Sequence, residues 1–180
     1  MVELTNVIPS LQLDIKYATT NNFTHAVLYP NPKARCYTRK AVAERLANVQ
    51  SELGEQGLGL RVFDAFRPAS AQRTMWALVP DERYVANPAK GSRHNRGAAV
   101  DLTLVDAQGR ELLMPTPFDS FSPKAHRDCV DLPAEALRNR QLLQAVMERH
   151  GFIGLPTEWW HFDATNWQTY PLISADPPGW

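Results

Sequence analysis

Apolar residues along the chain follow two rhythms. From Thr38 to about Gln56, Val42, Leu46, Val49 and Leu53 recur at the spacing of one helix face, with Thr38 as the expected N-cap and Gly57 as the stop. A second helix is expected from about Pro133 to His150, with Pro133 in its first turn, Leu142, Leu143, Val146 and Met147 on its buried side, and Gly151 at its end. A third runs from Pro68 to about Leu78. The other rhythm has a period of two. Leu60 to Phe66 reads as a strand that Pro68 stops, leaving Arg67 at its exit. In Ala98 to Leu104, alternation sends Val100, Leu102 and Leu104 to the core and Asp101 and Thr103 to the other face. Phe152-Ile153 and Trp159 to Asp163 read as further strands. Helices and strands mix without strict alternation, which predicts an α+β fold: a single domain over residues 1–180, with a central, mainly antiparallel sheet flanked by helices. Two stretches, Pro80 to Arg96 and Leu113 to Leu132, are loops long enough to be functional, and the second is placed to cover a site.

Composition narrows what such a domain does. A chain of 180 residues buries a core without staples, so a metal is free to serve chemistry. With 19 basic and 19 acidic residues, no field draws it to nucleic acid or an anionic membrane, and a small substrate fits better. No apolar run approaches a membrane span and the N-terminus has no leader pattern, so a cytoplasmic protein is expected. No pattern sets its oligomeric state. Its 2 cysteines, Cys36 and Cys129, stand in no metal-binding spacing, which argues against a closed thiolate site.

An open site is the remaining possibility. His94, Asp101 and His161 supply three neutral-nitrogen or carboxylate ligands, and Glu158 is a spare carboxylate. Three protein ligands with the fourth position left to water is the pattern of catalytic zinc, which lowers the pKa of that water to about 7. Gly97 must let the chain turn between His94 and Asp101. Strand alternation would send Glu158 and His161 to opposite faces, so Glu158 belongs in the turn after Pro156-Thr157, where it can act as a general base. Arg67 carries a planar fork of donors suited to an oxyanion.

Ser92 to Leu104 resembles the Ser-x-His-x-x-Gly-x-Ala-x-Asp-Leu-Thr segment of the zinc D-alanyl-D-alanine dipeptidases, and Glu158-Trp159-Trp160-His161 resembles their second signature. Asp64-Ala65-Phe66-Arg67-Pro68, Asp14 to Thr19 with Asn22-Phe23-Thr24, and Phe118-Asp119 with the following serines and His126 resemble other blocks of that family, in family order. The resemblance implies the family's hedgehog-like fold and hydrolysis of D-Ala-D-Ala. It also implies one zinc ion on His94, Asp101 and His161, with Glu158 as base and acid and Arg67 at the tetrahedral intermediate. Ser92, Asp119 and Tyr17 match positions that hold the substrate's free amino end. Ala65 and Phe66 depart from the family's glycine and tyrosine. D-stereochemistry comes from the resemblance alone.

Blander readings exist for each residue. His25, His126 and His150 read as packed or surface histidines, Arg67 as a salt bridge to Asp64, and Ser92 and Asp119 as turn residues. Two other functions share the scaffold: a carboxypeptidase or wall endopeptidase acting on longer peptides, and a zinc-binding module without turnover.

Overall fold

The structure is a computed structural model, and it describes residues 1–29 and 35–173. Its elements in chain order are β1 (Val2–Glu3), α1 (Leu4–Val7), β2 (Gln12–Leu13), β3 (Tyr37–Thr38), α2 (Lys40–Gly54), β4 (Leu58–Asp64), α3 (Ala69–Leu78), β5 (Ala99–Asp106), α4 (Ala134–Arg149), β6 (Phe152–Gly154) and β7 (His161–Ala164). Five strands form the main sheet in the order β2-β4-β5-β7-β6. All its pairings are antiparallel except β2 with β4. β1 and β3 form a separate antiparallel ribbon. This is the expected α+β architecture with a mainly antiparallel sheet.

Helix α2 buries Val42, Ala43, Leu46, Val49 and Leu53 in one stripe. At roughly 1.5–3 kcal/mol per large aliphatic side chain, that stripe is what fixes the helix to the sheet. α4 buries Leu143, Val146 and Met147 as expected, but the fourth inward position goes to Arg140, whose guanidinium donates to the carbonyls of His126 and Cys129, while Leu142 is half-buried. Gly151 closes α4 with φ +82°.

Several boundaries differ from the expected ones. Thr38 does not cap α2: it pairs in β3, its buried hydroxyl has no partner among the described residues, and Arg39 takes the cap position without a side-chain capping bond. Pro133 precedes α4 as its N-cap and is not its first helical residue. The final strand begins at His161, so Trp159 and Trp160 lie in a bend and do not alternate across the sheet. Both are buried, with their rings edge to face at 5.5 Å, because the β6–β7 connection folds inward over the core. On β5 the face bearing Asp101 and Thr103 is as buried as the face bearing Val100 and Leu102. The sheet is therefore covered on both sides, and one cover contains the polar site.

Candidate metal centre and active site

A bulge in β4 shifts its register between Val62 and Asp64, setting Asp64 opposite Asp101 on β5, and Asp101 in turn opposite His161 on β7. Three strands thus bring two carboxylates and an imidazole into one row. His94 reaches the row from a single helical turn, His94–Arg96, that ends at Gly97 in the left-handed region, φ +67°. That glycine supplies the turn expected between His94 and Asp101, since the conformation is costly for a residue with a Cβ.

The three ligand atoms are spaced for one ion. His94 Nε2 lies 3.2 Å from His161 Nδ1 and 3.4 Å from Asp101 Oδ2, and His161 Nδ1 lies 3.0 Å from Asp101 Oδ1. Donors held tetrahedrally at about 2.0–2.1 Å from an ion would stand about 3.3 Å apart. The outer ring nitrogens are bound in the way that turns the inner lone pairs toward the centre. His94 Nδ1 donates to the Ala65 carbonyl at 2.7 Å, and His161 Nε2 to Asp163 Oδ1 at 2.9 Å. Sequence reasoning missed Asp163 as a partner of the site. Its position two residues after His161, on the same face of a strand, was the available signal.

Charge in the centre is strongly perturbed. Burial would push the His161 imidazolium pKa down, but the carboxylates of Asp163 and Asp101 outweigh it and raise the value to about 10. Burial alone would raise the Asp101 carboxyl, yet His94 and His161 hold it well below the usual range. Glu158 sits in the turn at Pro156-Thr157, as expected, with Oε2 3.9 Å from His161 Nδ1. Burial lifts its pKa to about 8, with Asp101 and Asp119 adding and His161 opposing.

Arg67 leaves β4 and is gripped on three sides. Its Nε and Nη2 meet Asp64 Oδ2 at 2.9 and 2.8 Å, Nη1 donates to Gln72 Oε1 at 3.1 Å, and Nη2 stands 3.5 Å from Asp101. The salt bridge to Asp64 is thus real, and it orients the guanidinium toward the ligand row. Gln72, which no sequence pattern singled out, passes the hold on to the Ala86 carbonyl.

The amino-end candidates form the far wall of the cavity. Tyr17 Oη donates to Asp119 Oδ1 at 2.9 Å, and the Phe23 N–H donates to Asp119 Oδ2. Asp119 adopts φ +61°, which asparagine and aspartate tolerate better than most residues. Burial raises its carboxyl to about 7, although the Tyr17 bond opposes this. Burial, then Asp119, also raises the Tyr17 phenol. Ser92 is buried at the rim, where its Oγ accepts from the His94 N–H at 3.1 Å in a local turn. Of the histidines set aside, His150 pairs with Glu52, His25 is exposed at φ +53°, and His126 lies half-buried in the second long loop.

All eight residues singled out beforehand, Tyr17, Arg67, Ser92, His94, Asp101, Asp119, Glu158 and His161, line one cavity of about 300 Å³. A three-ligand centre with a raised carboxyl group on its open side is what a metallopeptidase needs to activate water. The chain as a whole narrows that class. Residues 1–173 match the peptidase M15 family, described as D-ala-D-ala dipeptidase, and the chain belongs to this family. The D-alanyl-D-alanine dipeptidase of Escherichia coli (strain K12) is 39% identical over 174 residues, covering 97% of this chain and 89% of that protein. That of Enterococcus faecium is 30% identical over 97% of this chain and 96% of its own, and that of Streptomyces coelicolor is 30% identical over 87% of each. A looser likeness, with TM-score 0.45 and 16% identity, is to a solved structure of the vancomycin resistance D,D-pentapeptidase VanY with Zn(II), over 73% of this chain and 74% of that one. Among the described residues, no helix is long and apolar enough to cross a membrane.

Proposed function

We propose that this chain, as one catalytic domain, hydrolyses D-alanyl-D-alanine to two D-alanines with a single zinc ion held by His94, Asp101 and His161. The observation that carries the reading is the tetrahedral spacing of the three ligand atoms, 3.0 to 3.4 Å, with Glu158 beside them. A bound ion supplies an acidified water and polarises the scissile carbonyl.

The chain's own groups do the rest. Glu158, poised between acid and base by burial, takes a proton at a carboxylate oxygen and returns it to the departing amine. Arg67 has five N–H donors, and its bonds to Asp64, Asp101 and Gln72 leave an Nη1 donor for a developing oxyanion. Asp119 supplies the counter-charge for the substrate's ammonium. Tyr17 orients that carboxylate, and the second lone pair of Ser92 Oγ offers another acceptor. About 300 Å³ is at the small end of ligand pockets, which suits a dipeptide. The D-configuration comes from the family. A cytoplasmic setting belongs to the same proposal, and the free thiols of Cys36 and Cys129 agree with it.

The test compares free D-Ala-D-Ala with its N-acetyl form, with and without chelator. Hydrolysis confined to the free dipeptide and abolished by chelation is expected. Preference for the blocked substrate would assign a carboxypeptidase instead, and one bound zinc without hydrolysis of either would overturn the enzyme reading.

A further inference from the structure

Arg127 lies in the loop between β5 and α4, mostly buried, and among the described residues no carboxylate stands within ion-pair distance of it. Burial pulls its pKa down to about 10, so the folded chain bears a cost for keeping it there. Its donors go to main-chain oxygens instead. Nε donates to the Leu155 carbonyl at 2.9 Å, and Nη2 to those of Trp159 at 3.0 Å and His161 at 2.8 Å. Its own N–H binds the Pro156 carbonyl at 2.9 Å. Nη1 reaches Gln144 Oε1 at 3.3 Å, and the guanidinium lies 4.3 Å from the Phe162 ring centre. The carbonyls of Leu155, Pro156, Trp159 and His161 lie on both legs of the turn between β6 and β7, and Glu158 is near its apex. Gly154 leaves room for the grip, since a Cβ there would collide with the Arg127 guanidinium.

We propose that Arg127 is a positioning residue for hydrolysis: it clamps the two legs of the 155–161 turn so that the Glu158 carboxylate stays beside the metal ligands. This rests on the proposed role of Glu158. A rigid planar fork bridging both legs resists their relative sliding, whereas a lysine ammonium is a point charge on a flexible stem. The demand is strict, because a displacement of about 1 Å at a reacting group costs on the order of a hundredfold in rate. Within the turn itself, the Leu155 N–H donates to the His161 carbonyl and the Glu158 N–H to the Leu155 carbonyl, both at 3.2 Å, and Arg127 adds shorter bonds of 2.8 to 3.0 Å to the carbonyls of Leu155, Trp159 and His161.

The experiment uses the zinc-loaded full chain with R127A, R127K and G154A, measuring kcat and KM for D-Ala-D-Ala, zinc content and melting temperature. Amide exchange of residues 155–161 is followed in chelator-treated protein. For R127A we expect kcat to fall at least about tenfold while KM stays within about threefold, because Tyr17 and Asp119 stand outside the 155–161 turn and hold each other by their own hydrogen bond. Zinc should remain at one per chain, and exchange should quicken in 155–161 but not in α2. R127K should fall between R127A and wild type, and G154A should move kcat the same way without touching the arginine's chemistry. In an E158Q background, R127A should add little further loss. The proposal is overturned if R127A and G154A keep kcat within about twofold below their melting temperatures, if zinc leaves with R127A, or if the losses from R127A and E158Q multiply in full. Should R127A not fold, R127K and G154A decide the matter in the same way. An inactive wild type would instead strike the role of Glu158, and the exchange measurement would still report whether the clamp exists.

Discussion

Replacing Asp119 by asparagine should reverse its effect on stability between low and high pH. Unfolded, the Asp119 carboxyl titrates near 3.8, whereas folded it titrates near 7, because burial disfavours the charged form. Between those values the folded chain holds a proton that the unfolded chain has lost. Stability therefore falls as pH rises from about 4 to about 7, then levels off. About three units at 1.36 kcal/mol each give a ceiling of about 4 kcal/mol, and partial exposure of the residue brings this to roughly 2–4. Asparagine has no such penalty and tolerates the left-handed backbone at this position. It gives up the bond from the Phe23 N–H, a loss of about 1 kcal/mol or less. D119N should accordingly be slightly less stable than wild type at pH 4 and about 1–3 kcal/mol more stable at pH 8. At this chain length that is a difference of about 2–4 °C per kcal/mol. Thermal melts of both proteins in chelator from pH 4 to 9 would show the crossing. Parallel curves would refute the reasoning. If Asp119 holds the substrate's ammonium as proposed, the same variant should also bind the free dipeptide poorly.

E158Q should retain zinc and lose at least about a hundredfold in kcat, and steady-state assay of a metal-replete sample near wild-type rate would remove Glu158 from the chemistry. D163N takes the charged acceptor from His161 Nε2 and should weaken zinc binding about 10–100-fold, which competition against a chromophoric chelator measures; unchanged affinity would count against its role. G97A puts a Cβ at φ +67° and 2.7 Å from the Met1 side chain. It should cost about 1 kcal/mol or more and loosen zinc through His94, readable as a lower melting temperature together with weaker metal affinity.

Where the sequence was legible, a period or a spacing carried the information. The stripe from Val42 to Leu53 and the alternation around Asp101 each reflect a regular backbone against a core, so burial followed the pattern. That the eight candidate residues would gather in one cavity was legible because their blocks stand in a fixed order. The illegible parts depend on partners remote in sequence. Nothing local says that Thr38 pairs with Val2 in a ribbon and so cannot cap α2. Nor does anything local place Gln72 behind Arg67 or Arg127 behind Glu158. The bulge at Val62/Asp64 leaves no mark in the apolar pattern either, yet it puts Asp64 in the ligand row.

That row also explains why the site is built to accept a cation. Asp64, Asp101, Glu158 and Asp163 are all buried; Arg67 pairs with Asp64 and stands 3.5 Å from Asp101, and the partly exposed Arg93 reaches Asp163 at 3.3 Å. Four carboxylates removed from water outnumber the two guanidiniums that face them, so they cannot all stay ionised without further positive charge. The metal-free chain therefore meets the deficit with protons, which is what His161 near 10 and Glu158 near 8 express. A divalent ion held, as proposed, by His94, Asp101 and His161 would replace those protons with fixed charge. That exchange would free the His161 lone pair to ligate and would favour the ionised form of Glu158, the form its proposed role as base requires. On that proposal one substitution of charge would both complete the coordination and prepare the proton carrier.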